Sequence, residues 1–419
     1  MAPSTLTRRR ICLMYTILIK PKMPVCPGTY FRRDEMTDSN NSGKGMLLMI
    51  AGLNGAIGST VAAAVAMLGH RPDAVFPYLT TSGRLDFLGS PADIKVAGWD
   101  TNTAPVPEAI KSCGVLEKEL WQNSLPFLEE IPLKPAPNPG LGLKEQAGHI
   151  MADMEEFKNQ YPGMIPVFVN LLPAGPGHDL HSFSDFDQLM AYNGVVPPDI
   201  AYAAAAVKSL IPVVNFTPND IEIPALIKGA QKAGVPMCGK DGKTGQTYFK
   251  VVLASAFLAR SLKVEGWYSL NILGNADGKN LMDPNRAACK LDNKTKVLDE
   301  VLGYSPGASR YSQSSHKVHI DYYPPRGDAK EAWDVIDFEG IFGLPMSMRV
   351  NLQGRDSILA APMILDLARW MAALAIAKRS GPVPELAFYF KKPVGSKAPK
   401  TFERQLAALD NLEKICKTS

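Results

Sequence analysis

The chain has 419 residues, of which 46% are hydrophobic, and a formal net charge of +4. That length suggests two or three domains around sizeable cores. The small charge, with no basic stripe carrying interleaved aromatics, argues against nucleic acid as a partner.

Six cysteines are scattered with no Cys-x-x-Cys pair, which argues against a zinc site or disulfide framework and fits a reducing, cytoplasmic compartment. Cys289, beside Lys290, reads as inert packing rather than as a reactive thiol.

Residues 1–45 differ from the rest. Arg8-Arg9-Arg10 precede a short apolar run, Ile11 to Ile19, stopped by Lys20 and Lys22. The run is short for a signal peptide and no small-x-small cleavage site follows. A membrane span needs about 20 apolar residues. The segment reads as a disordered extension, or as translated sequence upstream of a start at Met36 or Met46.

Met46 to Ala51 is a continuous apolar run, as in a buried parallel strand. Gly52-Leu53-Asn54-Gly55-Ala56-Ile57-Gly58-Ser59-Thr60 follows, and then an alanine-rich helical stretch. Strand, glycine turn and helix together set a pyrophosphate on a helix N-terminus. A second strand is predicted at Ile94 to Ala97, ending in Gly98-Trp99-Asp100. Asp100 is the candidate for an adenosine ribose hydroxyl, displaced beyond the usual ~20-residue offset by residues 70–93.

Helices are predicted at 107–112 and 144–159. Pro132, Pro135, Pro137, Pro139, Gly140 and Gly142 make 132–143 a loop. Strands at Ile165 to Leu172, Ile211 to Phe216 and Val235 to Cys238 alternate with helices at Ile200 to Leu210 and Ile223 to Ala233. Asp199 is the expected cap of the helix at 200, with Pro197-Pro198 barring an earlier start. This alternation predicts a doubly wound parallel sheet with its ligand at the carboxyl ends of the strands.

A helix over Thr244 to Leu262 leaves that sheet. The segments 266–273, 317–323, 332–338 and 346–352 then read as strands of a mostly antiparallel sheet. Asp356 is the expected N-cap of a long helix to Ala377, interrupted by Asp366 and Arg369 and so read as buried rather than membrane-spanning. No tandem repeat stands out. His178 and His181 are the one close pair of histidines in a loop, and no metal ligand is assigned.

Between Cys238 and Lys330 the chain gathers glycines, amides, carboxylates and amines. The pieces are Gly239-Lys240-Asp241-Gly242-Lys243-Thr244-Gly245-Gln246-Thr247, Leu273-Gly274-Asn275-Ala276-Asp277-Gly278-Lys279-Asn280-Leu281, then Lys290 and Lys294, then Gly327-Asp328-Ala329-Lys330. Such a set suits a phosphorylated, hydroxyl-rich substrate, with lysines for charge stabilisation or proton transfer.

This ordered series, with Gly52–Thr60, Gly98-Trp99-Asp100, Asp356-Ser357 and the Phe390-Lys391-Lys392-Pro393 stretch, is similar to the inositol-3-phosphate synthase (myo-inositol-1-phosphate synthase) family. The resemblance runs from Met46 to about Pro393. The chain departs from the pattern at Ala56, Ile57, Lys240 and Ala276. The resemblance implies a Rossmann-type NAD-binding domain at 46–247, an inserted α+β catalytic and oligomerisation domain at 248–355, and a C-terminal return at 356–419. It implies NAD as cofactor, D-glucose 6-phosphate as substrate and a myo-inositol phosphate as product. A monovalent or divalent cation is a further candidate, and a cytoplasmic homotetramer joined through the 248–355 sheet is expected.

By the same resemblance Gly52, Asn54, Gly55, Gly58, Ser59, Thr60, Asp100 and Asp241 hold NAD. Thr244, Gly245, Asn275, Asp277 and Asp328 hold substrate. Lys290 moves the proton of the reacting hydroxyl, Lys294 and Lys330 carry phosphate and oxyanion charge, Lys391 serves the oxyanion from the other side, and Asp356 orients a lysine. The alternatives are a Rossmann-type oxidoreductase that releases NADH, a non-catalytic sugar-phosphate sensor, and a related cyclase for another sugar phosphate, since Lys240 and Ala276 alter the pocket.

Overall fold

A computed structural model describes residues 45–175, 177–275, 278–279, 281–282 and 296–418. Residues 43–419 form one compact unit. The expected N-terminal extension, Asp277, Lys290 and Lys294 lie outside the described residues.

Seven strands build the first sheet: β1 (Met46–Ala51), β2 (Ile94–Asp100), β3 (Leu133–Pro135), β4 (Ile165–Asn170), β5 (Val213–Asn215), β6 (Pro236–Cys238) and β11 (Gly381–Pro382). Their order is β11-β6-β5-β4-β1-β2-β3, and every pairing is parallel. All six residues of β1 are buried, because successive side chains enter opposite layers. Leu48 and Ile50 face the helices Ala56–Leu68 and Asp356–Ile376. Leu47, Met49 and Ala51 face Leu143–Gln160 and Pro198–Lys208. Helices on both faces explain why these strands read as continuous apolar runs. The strand order reverses at β1, between β2 and β4, which opens a crevice at their carboxyl ends.

The second sheet has β7 (Lys263–Leu273), β8 (His316–Tyr322), β9 (Ala329–Glu339) and β10 (Pro345–Arg355), in the order β10-β9-β7-β8. β7 and β8 are parallel, and the other pairs are antiparallel. Its inner face packs Val264, Trp267 and Ile336 against Val251, Ala254 and Phe257 of the helix Gln246–Ala259. Its outer face exposes Tyr268 and Trp333, and the β9–β10 turn exposes Ile341 and Phe342.

Three local expectations are corrected. The proline-rich stretch 132–143 is not all loop, since Leu133–Pro135 pairs with β2 at the sheet edge, where a missing donor is tolerated. Pro198 does not bar a helical start but is the first residue of Pro198–Lys208, a position that needs no N–H. Asp199 therefore lies inside the first turn and caps nothing. Asp356 is likewise the first helical residue, with the extended Arg355 at the cap, and its carboxylate is engaged by Lys330 and Thr244. The helix Asp356–Ile376 is long and apolar enough to cross a membrane by length and composition, and most of it is buried between layers of this fold.

Candidate active site

The glycine turn sits at the crevice. Gly52 has φ +87°, and a Cβ there would stand 2.9 Å from the Leu171 carbonyl oxygen beyond β4. A Cβ on Gly58 would stand 2.5 Å from the carbonyl oxygens of both Gly52 and Leu53. Only glycine lets the helix start this close to the strand. No side chain caps Ala56–Leu68, so its first-turn N–H groups and the positive end of its dipole are offered to an anion. Ser59 and Thr60 turn their hydroxyls back onto the Ala56 carbonyl at 3.3 and 2.7 Å.

Asp100 ends β2 with its Oδ2 accepting the Asn54 N–H at 2.9 Å and its Oδ1 accepting the Asn102 N–H at 2.9 Å. It is thereby fixed beside the glycine turn. Asn54 is buried and donates its amide to the carbonyls of Asn102 and Ala104, both at 2.7 Å. Its side chain therefore builds the cradle, and its buried Oδ1 has no protein partner. Glycines that leave room, an uncapped helix start and an anchored acidic residue together fit a dinucleotide.

A second wall is a strap. Asp241 N–H donates to the Thr217 carbonyl and Gly242 N–H to that of Phe216, while Lys391 N–H donates to the Asp241 carbonyl and Lys243 N–H to that of Tyr389. The loop after β6 is thus zipped between the loop after β5 and the chain after β11. This brings Lys391 Nζ to 2.6 Å from Asp241 Oδ1, with side chains 9% and 4% exposed. Lys330 Nζ stands 3.0 Å from Asp356 Oδ2, and Thr244 Oγ1 donates to Asp356 Oδ1 at 3.0 Å. Asp356 thereby joins the loop before Gln246–Ala259 to the start of β9.

Asn275 and Asp328 also meet. Gly274 lies so close to Gly327 N and the Tyr323 carbonyl that a side chain would collide with both, which presses the turn after β7 onto the turn before β9. The Asn275 side chain comes near enough to Asp328 to favour its charged form. Asp328 Oδ1 accepts Ser357 Oγ at 3.1 Å, and its Oδ2 is buried without a protein partner. Burial raises the Asp328 carboxyl above its ordinary value, against the bond from Ser357 and the nearby Asn275 amide. Gly245 opens Gln246–Ala259, where a Cβ would meet Leu352 at 3.3 Å.

Two buried lysines were not anticipated as site residues. Lys243 donates to Gln405 Oε1 at 2.8 Å and to the Ala387 carbonyl at 3.2 Å. Burial pushes its ammonium down to about 7. Lys250 lies beneath the second sheet, 3.0 Å from Ser269 Oγ and 2.8 Å from His316 Nε2. Burial lowers it to about 8, against the pull of Asp334. Asp334 in turn accepts from Trp267, Ser269 and Gln246 at 2.7, 2.5 and 2.9 Å. The only sequence signal for Lys243 was its place in the glycine-rich loop. Lys250 falls on an otherwise apolar helix face, where a polar residue at a core position is itself a signal. No group of three or more His, Cys, Asp or Glu placed to hold a metal occurs among the described residues.

A sequence model described as Myo-inositol-1-phosphate synthase matches residues 245–357. The inositol-3-phosphate synthase 1 of Bacteroides thetaiotaomicron is 43% identical over 201 residues, which is 48% of this chain and 47% of that protein, so the match spans about half of either. The inositol-3-phosphate synthase isozyme 1 of Arabidopsis thaliana is 28% identical over 369 residues, covering 78% of this chain and 71% of the relative. The fold is shared with the inositol-3-phosphate synthase of Caenorhabditis elegans, at a TM-score of 0.77 and 23% identity over 90% of this chain and 86% of that one. A myo-inositol-1-phosphate synthase-related protein from Thermotoga maritima gives a TM-score of 0.73 at 20% identity over 89% and 98%. In sequence over part of its length, and in fold over most of it, the chain is thus similar to inositol-3-phosphate synthases.

Proposed function

We propose that this chain isomerises D-glucose 6-phosphate to 1D-myo-inositol 3-phosphate through an internal redox cycle. NAD, held by Gly52, Gly55, Gly58 and Asp100, supplies the hydride acceptor and donor when bound. The observation that carries the reading is the meeting of two lysine–carboxylate pairs from four separate segments, Lys391–Asp241 and Lys330–Asp356. A nearly buried ammonium held by one carboxylate stays oriented and acts in a medium poor in water, where it stabilises developing negative charge strongly.

Lys391 would face the oxyanion, with Asp241 fixing its direction. Lys330 and the Thr244 hydroxyl, both tied to Asp356, would take phosphate and oxyanion charge. Asn275 and Asp328 would orient sugar hydroxyls. Lys290 is proposed as the proton acceptor at the reacting hydroxyl, Lys294 for phosphate and oxyanion charge, and Asp277 for the substrate.

The test supplies glucose 6-phosphate carrying deuterium at C5, with NAD⁺ in catalytic amount. The label is expected on the inositol ring, with no accumulation of NADH absorbance. Label in free NADH would favour a Rossmann-type oxidoreductase, and turnover of a different sugar phosphate alone would favour a related cyclase.

We further infer a cytoplasmic homotetramer joined through the second sheet. The exposed Tyr268, Trp333, Ile341, Phe342 and Leu344 support such an interface. Light scattering giving a monomer at micromolar concentration would count against it. A cation requirement is tested by chelation and by replacing the monovalent ion.

A further inference from the structure

Lys240 lies beside Asp241 in the strap, but its side chain points elsewhere. It is buried, 7% exposed. Its ammonium is paired with Asp220 Oδ1 and stands 3.8 Å from Glu222 Oε2. Both acids belong to the loop between β5 and the helix Pro224–Ala233. Asp220 Oδ2 takes His181 Nε2 at 2.8 Å, and the Asp220 carbonyl meets His178 Nε2 at 2.6 Å. Glu222 Oε1 accepts from Asn215 Nδ2 at 3.0 Å.

The fit at this corner is close. A side chain on Gly239 would collide with Glu222 Oε1, and its Cβ would stand 2.9 Å from that of Asn215. The Lys240 backbone is held on the opposite side, donating its N–H to the Lys392 carbonyl at 2.9 Å and accepting from Lys392 N–H at 3.2 Å. Lys240 thus connects two segments. Its backbone grips the residue after Lys391, and its ammonium grips the loop whose Thr217 carbonyl fixes Asp241.

We propose that Lys240, anchored on Asp220 and Glu222, is a positioning residue that holds the Asp241–Lys391 pair in register. The inference rests on the reading of that pair as part of the active site. Burial alone would raise Asp220, but the bond and charge of Lys240 leave it below its ordinary value. Burial raises Glu222 to about 7, against the charge of Lys240. Lys240 is therefore the cation that the two acids share. Removing one partner of a buried charge cluster leaves the others uncompensated, and the loops that carry them separate or rearrange.

The discriminating experiment compares Lys240→Met, Lys240→Arg and Asp220→Asn in the full chain. With glucose 6-phosphate and NAD⁺, Lys240→Met is expected to lower kcat about ten-fold or more while KM changes less than about three-fold, because the displaced pair acts on the reacting atoms. Lys240→Arg keeps the cation and is expected to stay within about three-fold of the parent. Asp220→Asn is expected to fall between them, and it carries the kinetic test if Lys240→Met fails to fold.

A crystal structure of Lys240→Met, or of Asp220→Asn in its place, should show Lys391 Nζ moved beyond hydrogen-bond reach of Asp241. If the pair keeps its distance, or if Lys240→Arg loses as much as Lys240→Met, the proposal is overturned. The structural readout does not depend on the substrate. Failure of the parent to make inositol phosphate would therefore refute the proposed reaction and leave the positioning question to be decided by the coordinates.

Discussion

Within Gly52–Thr60 no side chain is charged, and an anion at that helix start is met by backbone N–H groups and a helix dipole. Between Gly239 and Thr244, Lys240, Asp241 and Lys243 are all nearly or fully buried. The first region handles an anion with partial charges that need no counterion, so small residues suffice and nothing must be neutralised. The second places whole charges where water is scarce. Each must then be paired, hydrogen-bonded or shifted in pKa. Lys391 has Asp241, Lys330 has Asp356, and Lys240 has Asp220 and Glu222. Lys243 is held by neutral oxygens and has its ammonium lowered to about 7.

The sharpest way to separate the two regions is Lys391→Ala. Product formation should fall about a hundred-fold or more, as for loss of a placed donor or charge, while NAD affinity measured by calorimetry stays within about two-fold of the parent. A parallel loss of NAD binding would merge the two regions into one. Gly58→Val should do the reverse. Its side chain enters the space 2.5 Å from two carbonyl oxygens, so NAD binding should weaken about ten-fold or more, and the melting temperature should drop by several degrees, as for an overpacked site (~1–3 kcal/mol).

Lys243→Met probes the cost of an ammonium buried among neutral oxygens. The folded value is about 7 against an ordinary 10.5, so between these pH values the unfolded chain holds a proton that the folded chain lacks. Stability from this group therefore rises with pH from about 7 to about 10.5 and is lowest below 7. Lys243→Met removes that slope. Its stability relative to the parent should be greatest at pH 6–7 and decline toward pH 10, read from melting curves across the range. Equal slopes for both proteins would contradict a depressed Lys243. The smallest effect belongs to Ser59→Ala. The Ser59 hydroxyl makes a 3.3 Å bond to its own helix, so NAD affinity should change less than about two-fold.

The doubly wound sheet was legible because helices on both faces leave continuous apolar strands, and β1, β2 and β4 read as such in the sequence. The glycine cradle was legible because close backbone approach demands glycine at fixed spacing. The second sheet was legible by alternation, but not its parallel β7–β8 pair, since pairing direction leaves no mark on a single strand. The lysine pairs could be anticipated one member at a time. What joins Asp241 to Lys391 is a zipper across 150 residues of sequence, and no local pattern encodes it. Pro198 and Asp356 were misjudged for one reason. Both lie one residue inside a helix start, where a missing N–H is harmless and a carboxylate remains able to accept from Thr244 and Lys330.

The strap also bears on how the protein is made. Asp241 leaves the ribosome long before Lys391, and β11 is the last strand to join the parallel sheet, at its edge beside β6. A chain elongating at about 5–20 residues per second passes through a period in which the strap has one side only. During that period Asp241 and Lys243 have not yet met Lys391, Ala387 or Gln405. The nascent protein can thus carry the strands and glycine turn before the strap is closed, and synthesis itself delays the Lys391–Asp241 pair until the segment after β11 has emerged.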